Sequence, residues 1–121
     1  MRQLRFIVSA IAIFASIVGC NSRTPNKAEK ALVGQWFCKG DDYNFFMILN
    51  PDGSHVQSVE GRPVPKPNGD TWRVEGDKLV IALKQSNGRI TEVRGNYVLT
   101  GNRLEWTRED LNIRTIYEKV K

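Results

Sequence analysis

The chain has 121 residues, of which 40% are hydrophobic, and this size supports one small domain with a modest core. Its 18 lysines and arginines against 13 aspartates and glutamates give a formal net charge of +5. Basic and acidic residues alternate, as in Arg89, Glu92 and Arg94, which is typical of a solvated strand surface and not of a surface that follows phosphates. The composition therefore argues against a nucleic-acid partner.

The first twenty residues carry the most specific pattern in the chain. Two arginines precede an uncharged apolar run over residues 6–18, and Gly19 then leads directly into Cys20. A basic start and a short apolar run predict a secretory signal peptide, because the run is too short for a stable membrane span. The apolar-small-Cys ending resembles the lipobox of bacterial lipoproteins. That resemblance implies that residues 1–19 are removed and that Cys20 is acylated on its thiol and its new amino group.

The lipoprotein interpretation gives an expected location and charge for the mature chain. Cleavage of the signal peptide would remove Arg2 and Arg5, which leaves 16 basic and 13 acidic side chains and a net charge of +3. Each buried CH₂ of an acyl chain contributes about 0.8 kcal/mol, so the predicted anchoring is stable. Asn21 follows the cysteine, and by resemblance to known sorting rules this implies an outer-membrane lipoprotein facing the periplasm. The alternative is an ordinary secreted protein cleaved near Ala15 or Gly19, with Cys20 free for a disulfide.

After the cysteine, residues 20–30 predict a flexible tether, and residues 28–32 fit a single helical turn ahead of a domain at residues 31–121. From Val33 onwards no window shows a helical period, and short apolar strands alternate with glycine-centred turns. The turns favour hairpins, because Asn-Gly and Pro-Asp-Gly supply the backbone angles that tight turns need. They lie at residues 50–53, 75–77, 87–88 and 100–102.

The strands between these turns are apolar on one face. Leu79, Ile81 and Leu83 share a face, and Leu104 and Trp106 alternate with polar neighbours. One-sided strands joined by tight hairpins form an antiparallel meander, and closing the meander removes its exposed edges. The sequence therefore predicts an all-β, up-and-down barrel of about eight short strands. They are expected at roughly residues 33–39, 43–49, 54–60, 71–75, 78–85, 89–99, 103–109 and 113–120.

Most of the domain resembles the small lipocalin-like domains of bacterial lipoproteins. It opens with Leu-x-Gly-x-Trp at residues 32–36, and the phrase "strand, Gly-Asp or Gly-Asn, basic-Leu, strand" recurs at residues 72–81 and 97–106. The resemblance covers most of residues 31–120 and implies the architecture more than any activity.

The same resemblance assigns a place to one tryptophan. It implies that Trp36 packs at the closed end of the barrel beneath a basic residue of the last strand, either Lys119 or Arg114. The chain is far shorter than typical ligand-carrying lipocalins, so the barrel interior is either open to a ligand or filled by its own side chains.

Candidate catalytic and metal-binding residues are few. His55 is the only histidine, and Cys38 is the only thiol left once Cys20 is acylated. A Cys38–His55 nucleophile lacks an identifiable third residue to orient it, and a buried cysteine more often behaves as a small hydrophobe. A metal site would need His55 with Asp41 and Asp42, but adjacent aspartates more often serve turns. We therefore expect no enzyme, no cofactor and no metal, while a disulfide from Cys38 to another chain stays open.

Aromatic residues are the best candidates for ligand contact. The predicted ligand-binding residues are Trp72, Trp106 and Tyr97. The alternative is that aromatic side chains form the core of a domain without disulfides, which must bury apolar area wherever it can. A second group of apolar residues alternates with these along the strands and is expected to face outward. There it is expected either to form a patch for a partner or membrane, or to lie beneath a covering loop. It consists of Phe37, Phe46 and Ile48.

The segment at residues 61–70 contains three prolines and is long for a hairpin connection, which predicts a functional loop or lid at the barrel rim. The leading functional hypothesis is a non-enzymatic lipoprotein that binds a small apolar or amphipathic ligand at that rim. The alternative is a protein-binding module, such as a protease or lysozyme inhibitor or an envelope assembly partner. Small barrel inhibitors of secreted metalloproteases also begin with a Gly-Gln-Trp strand similar to residues 34–36, although they carry a disulfide that this chain lacks.

Overall fold

One short helix and eight antiparallel strands make up residues 26–120, the part of the chain that the computed structural model describes. The predicted signal peptide, Cys20 and most of the predicted tether lie outside the described residues. The elements, numbered in chain order within this part, are α1 (Lys27–Leu32), β1 (Gly34–Cys38), β2 (Phe45–Leu49), β3 (His55–Val59), β4 (Thr71–Glu75), β5 (Lys78–Lys84), β6 (Ile90–Thr100), β7 (Arg103–Arg108) and β8 (Ile113–Lys119).

The strands form one sheet in the order β3-β2-β1-β8-β7-β6-β5-β4. Consecutive strands pair antiparallel except across the step from β3 to β4, and β8 returns to pair with β1. The two edge strands meet through a bridge between Ser54 and Thr71, beside which the amide of His55 donates to the carbonyl of Asp70 at 3.0 Å. The sheet is therefore a nearly closed up-and-down barrel, which confirms the fold predicted from strand alternation.

The two ends of the barrel differ in their connections. Tight turns at residues 50–54, 76–77 and 101–102 join strands at one end, where α1 and the last residue of β8 also lie. We call this the closed end, because the largest fully buried side chains pack there. The other end, which we call the open end, carries the loops β1–β2, β3–β4, β5–β6 and β7–β8. The core of the closed end includes Leu32, Trp36, Leu49, Trp72, Leu79 and Leu104.

Helix α1 is held across the exposed edge of β4. Asn26 and Glu29 form a reciprocal capping box, with the Glu29 amide donating to Asn26 Oδ1 at 2.8 Å. The Glu29 carboxylate is buried, and its Oε2 accepts the amide of Val74 at 2.8 Å. An edge strand offers unpaired amides, so this contact satisfies one of them and attaches the helix to the sheet.

The basic partner of Trp36 is Lys119. Trp36 is buried and its Nε1 donates to the carbonyl of Leu32 at 2.8 Å. The Lys119 ammonium lies 5.0 Å from the centroid of the indole ring and donates to the carbonyl of Val33 at 2.8 Å. Gly34 makes room for that side chain, because a Cβ at Gly34 would lie 2.8 Å from Lys119 Cε. Its φ of 138° also favours glycine.

The outer face of the barrel is mixed. Phe37 and Phe46 are cross-strand neighbours whose ring centroids lie 5.5 Å apart, and they and Ile48 are partly buried. Arg114, the other candidate partner of Trp36, lies instead on the outer face, where it pairs with Glu105 at 3.3 Å. Among the described residues, no helix is long and apolar enough to cross a membrane.

Candidate functional site

The barrel is filled at its closed end and contains a cavity of about 210 Å³ towards its open end. A cavity of about 150 Å³ already admits benzene, whereas pockets for drug-sized ligands measure about 300–1,000 Å³. The cavity therefore suits a small molecule or one end of a longer one. Its lining residues are Phe45, Met47, His55, Gln57, Ile81, Leu83, Val93, Trp106, Arg108, Thr115 and Tyr117.

One wall of the cavity is apolar. Ile81 and Leu83 come from β5, and Val93 lies beside Ile81 on the neighbouring strand β6. Phe45 and Met47 of β2 extend this surface from the other side of the barrel. The alternation of each strand brings these side chains inward, because residues two apart lie on the same face. This wall can hold the apolar body of a ligand.

Apart from Trp106, the remaining lining residues are polar, and we refer to them together as the polar wall. His55 and Gln57 come from β3, Arg108 from the end of β7, and Thr115 and Tyr117 from β8. All five side chains can donate a hydrogen bond, and none of them is a carboxylate. The cavity is therefore amphipathic: β3 supplies polar groups on one side of the barrel and β7 and β8 supply them on the other, with the apolar side chains of β2 and of β5 and β6 between them.

His55 carries a buried nitrogen that has no hydrogen-bond partner in the described chain. Its side chain is only 6% exposed, and its Nδ1 has no hydrogen-bond partner within residues 26–120. The nearest carboxylate oxygen, Oδ2 of Asp70, lies 3.8 Å away, which is too long for a hydrogen bond. Burial lowers the pKa of His55 below its ordinary value and outweighs the opposing effect of Asp70, so the imidazole is neutral at pH 7. Asp70 itself is held by the amide of Lys84 at 2.8 Å.

Tyr117 and Arg108 supply the other polar groups of the wall. Burial raises the pKa of Tyr117 to about 12, so its phenol remains a protonated donor at any physiological pH. The guanidinium of Arg108 contacts Asp110 through Nε at 3.1 Å and through Nη2 at 2.7 Å. These hydrogen bonds lower the pKa of Asp110 below its usual value. Arg108 is thus held at the cavity wall by a residue of the β7–β8 loop.

The structure separates the three predicted ligand-binding residues. Trp106 lines the cavity, and its Nε1 donates to the carbonyls of Leu79 and Gly95, both at 3.2 Å. Trp72 packs at the closed end with its Nε1 donating to the carbonyl of Asn50 at 2.9 Å. Tyr97 is half-buried against the core and is not among the cavity-lining residues. Trp106 therefore presents its ring, and not its indole N–H, to a ligand.

Two polar lining residues could be recognised from their positions on the strands, although neither is among the predicted aromatic ligand-binding residues. Arg108 has the same strand parity as Leu104 and Trp106, so a charged residue occupies an inward position. Gln57 likewise alternates with the buried His55. A polar residue at a strand position that points inward therefore indicates a polar group in the barrel interior.

The candidate catalytic and metal residues lie in different places. Cys38 ends β1, and burial raises the pKa of its thiol, which reduces its nucleophilicity. Its Sγ lies 3.9 Å from the carbonyl of Lys39. Asp41 and Asp42 are exposed in the β1–β2 loop. Within the described part of the chain, no group of three or more metal-binding side chains comes together.

The rim of the open end carries exposed apolar side chains on or directly beside each of its four connections. The loop at residues 61–70, expected to be functional, is one of these connections and is exposed along almost all its length. Each of these side chains is at least half exposed, whereas the closed-end turns are polar. The rim residues are Tyr43, Val64, Ile90, Leu111 and Ile113.

Comparisons with protein-family models, with curated proteins and with solved structures found no match to this chain. The fold and the site thus define the protein only as a small, nearly closed antiparallel barrel with an amphipathic cavity towards one end.

Proposed function

We propose that this protein is a membrane-anchored periplasmic lipoprotein that binds a small amphipathic molecule, without converting it chemically, in the cavity at the open end. One observation carries the binding proposal: the cavity brings the polar side chains of Arg108 and Tyr117 together with the apolar side chains of Ile81 and Val93. A barrel of this size that served only as a scaffold would gain more stability from an interior filled with apolar side chains.

The position of α1 supports an arrangement in which the cavity faces away from the membrane. Asn26 begins the described chain at the closed end and is the sixth residue after Cys20. Six residues span at most about 22 Å. If Cys20 is acylated, the closed end lies near the bilayer and the cavity opens to the aqueous compartment. A ligand would then enter and leave the cavity from the periplasm and not from the membrane.

Two measurements test the two parts of the proposal. Intact mass spectrometry of the chain extracted from membranes should show loss of residues 1–19 and added acyl mass on Cys20; an unmodified cysteine would refute the anchoring. Native mass spectrometry of the same preparation should show a bound molecule of small mass that is lost on unfolding. Bound ligand should also quench the fluorescence of Trp106, whose ring lines the cavity. A protein that stays empty across a periplasmic extract contradicts the binding function.

The apolar rim favours a second candidate, a protein-binding module. Tyr43 and Leu111 lie on two loops of the open end and Ile90 begins β6 beside a third, and exposed apolar groups of this kind mark partner surfaces. A photocrosslinker at position 90 should then capture one partner, while the same group at position 98, on the outer wall, should not. Equal capture at both positions, or none, would exclude the rim as a partner surface. Inhibition assays with periplasmic proteases and lysozymes test the inhibitor form of this hypothesis.

A further inference from the structure

We infer that the cavity is specific for a small monocarboxylate, with the carboxylate group at Arg108 and Tyr117 and an apolar body against β5 and β6. This inference rests on the proposed binding function and specifies its ligand. It concerns the charge of the ligand, which the volume and the apolar lining leave undetermined.

The charges around the cavity are unequal. Arg108 is the one cation among the lining residues of this cavity, and no carboxylate is among them. Two carboxylates lie outside the lining: Asp110 pairs with Arg108 at 2.7 Å, and Asp70 accepts from the amide of Lys84 and lies 3.8 Å from His55. A buried neutral imidazole, a hydroxyl and a phenol can all donate to an acceptor-rich group. The lining itself therefore carries a cation and no anionic group, which favours an anionic ligand over a cationic one.

The donors of this wall also have unused capacity. The Arg108–Asp110 contacts employ Nε and Nη2, which leaves Nη1 without a partner within residues 26–120. In the same part of the chain, Nδ1 of His55 is the one fully buried side-chain nitrogen or oxygen without a hydrogen-bond partner. Buried polar groups are nearly always satisfied, so an unsatisfied imidazole in the cavity lining points to a bound partner. A carboxylate can accept from guanidinium and phenol together.

The volume limits the apolar body of the ligand. A cavity of about 210 Å³ exceeds the space that benzene needs by less than one half. An aromatic or short branched carboxylate therefore fits, with its ring between Val93 and Met47, both of which line the cavity. Benzoate and its neutral counterpart benzamide differ mainly in charge, and they are suitable probes of this preference.

The experiment measures the affinity of benzoate and of benzamide for the full acylated chain in nanodiscs, by calorimetry, with empty nanodiscs as the blank. Benzoate should bind at least ten-fold more tightly than benzamide. Arg108→Gln should remove that ten-fold preference by weakening benzoate far more than benzamide, and a thermal melt like that of the unsubstituted protein shows that the variant is folded. Tyr117→Phe should weaken benzoate three- to ten-fold. Asp110→Asn, which releases the guanidinium, should strengthen it two- to five-fold.

Arg114→Gln is the matched control, because it removes the same charge from the outer face of the barrel. It should leave both affinities unchanged. Equal affinities for benzoate and benzamide, or an equal loss of both in Arg108→Gln, would overturn the carboxylate inference and leave the binding function in place. Absence of binding by either probe, together with an empty protein after exposure to a periplasmic extract, would overturn both.

Discussion

Lys119 is predicted to be a main support of the closed end, and Lys119→Met tests that role. Methionine keeps the apolar stem but removes the ammonium, which contacts the Val33 carbonyl at 2.8 Å and lies 5.0 Å from the Trp36 ring centroid. A hydrogen bond from a charged group contributes about 1.5–3 kcal/mol, and a cation–π contact adds about 0.5–1 kcal/mol. The two terms share one ammonium that is partly solvated, so we expect a net loss of about 2 kcal/mol in the free energy of unfolding.

The assay is equilibrium urea unfolding of the full chain, followed by tryptophan fluorescence, with a thermal melt beside it. For a domain of this size, a loss of about 2 kcal/mol lowers Tm by about 8–16 °C. Lys66→Met is the matched control, because Lys66 is exposed in the β3–β4 loop and loses the same charge. If Lys119→Met unfolds within about 0.5 kcal/mol of the Lys66 variant, the ammonium does not support the closed end, and its contacts contribute nothing measurable.

Three further predictions follow from single contacts. Glu29→Ala should release the Val74 amide and destabilise the domain by about 1–3 kcal/mol, with faster hydrogen exchange at Val74; unchanged exchange would refute the role of α1 as an edge cover. His55 has a folded-state pKa below its ordinary 6.5, so stability should be full above about pH 6.5 and should fall as the pH drops towards the folded pKa, because only the unfolded chain takes up the proton. His55→Asn should flatten that slope, and an NMR midpoint at or above 6.5 would contradict the burial effect. Gly95→Ala should disrupt the β6–β7 pairing, since its Cβ would lie 2.1 Å from the Thr107 carbonyl oxygen, and a variant of native Tm would show that the strands separate freely.

Most of the fold could be predicted from local patterns. The strand expected at residues 78–85 is observed at Lys78–Lys84, and the one expected at residues 103–109 is observed at Arg103–Arg108. The turns could be predicted because tight hairpin turns need backbone angles that Gly and Asn adopt easily. Each turn then determines which two strands are neighbours. In an up-and-down meander, neighbour order is then nearly the whole topology.

The location of the cavity could not be predicted in the same way. Alternation shows that Trp72 and Trp106 both point inward, but not at which height of the barrel each one lies. The height depends on the stagger between strands. That stagger is set where Ser54 meets Thr71 to close the barrel, and a long loop separates these two residues in the sequence. As a result Trp72 packs at the closed end beside Asn50, while Trp106 reaches the cavity.

The two ends of the barrel differ in physical character. At the closed end the inward side chains are large and apolar, and buried polar groups are paired, as with the Glu29 carboxylate and the Trp36 indole. In the cavity lining, by contrast, Nδ1 of His55 has no hydrogen-bond partner in the described chain, and an unmade buried hydrogen bond costs about 1–3 kcal/mol. Folding alone does not account for that cost, because an apolar residue at the same position would pack more favourably. A ligand that bonds to the imidazole would recover it, so the unpaired His55 is better explained by binding than by stability.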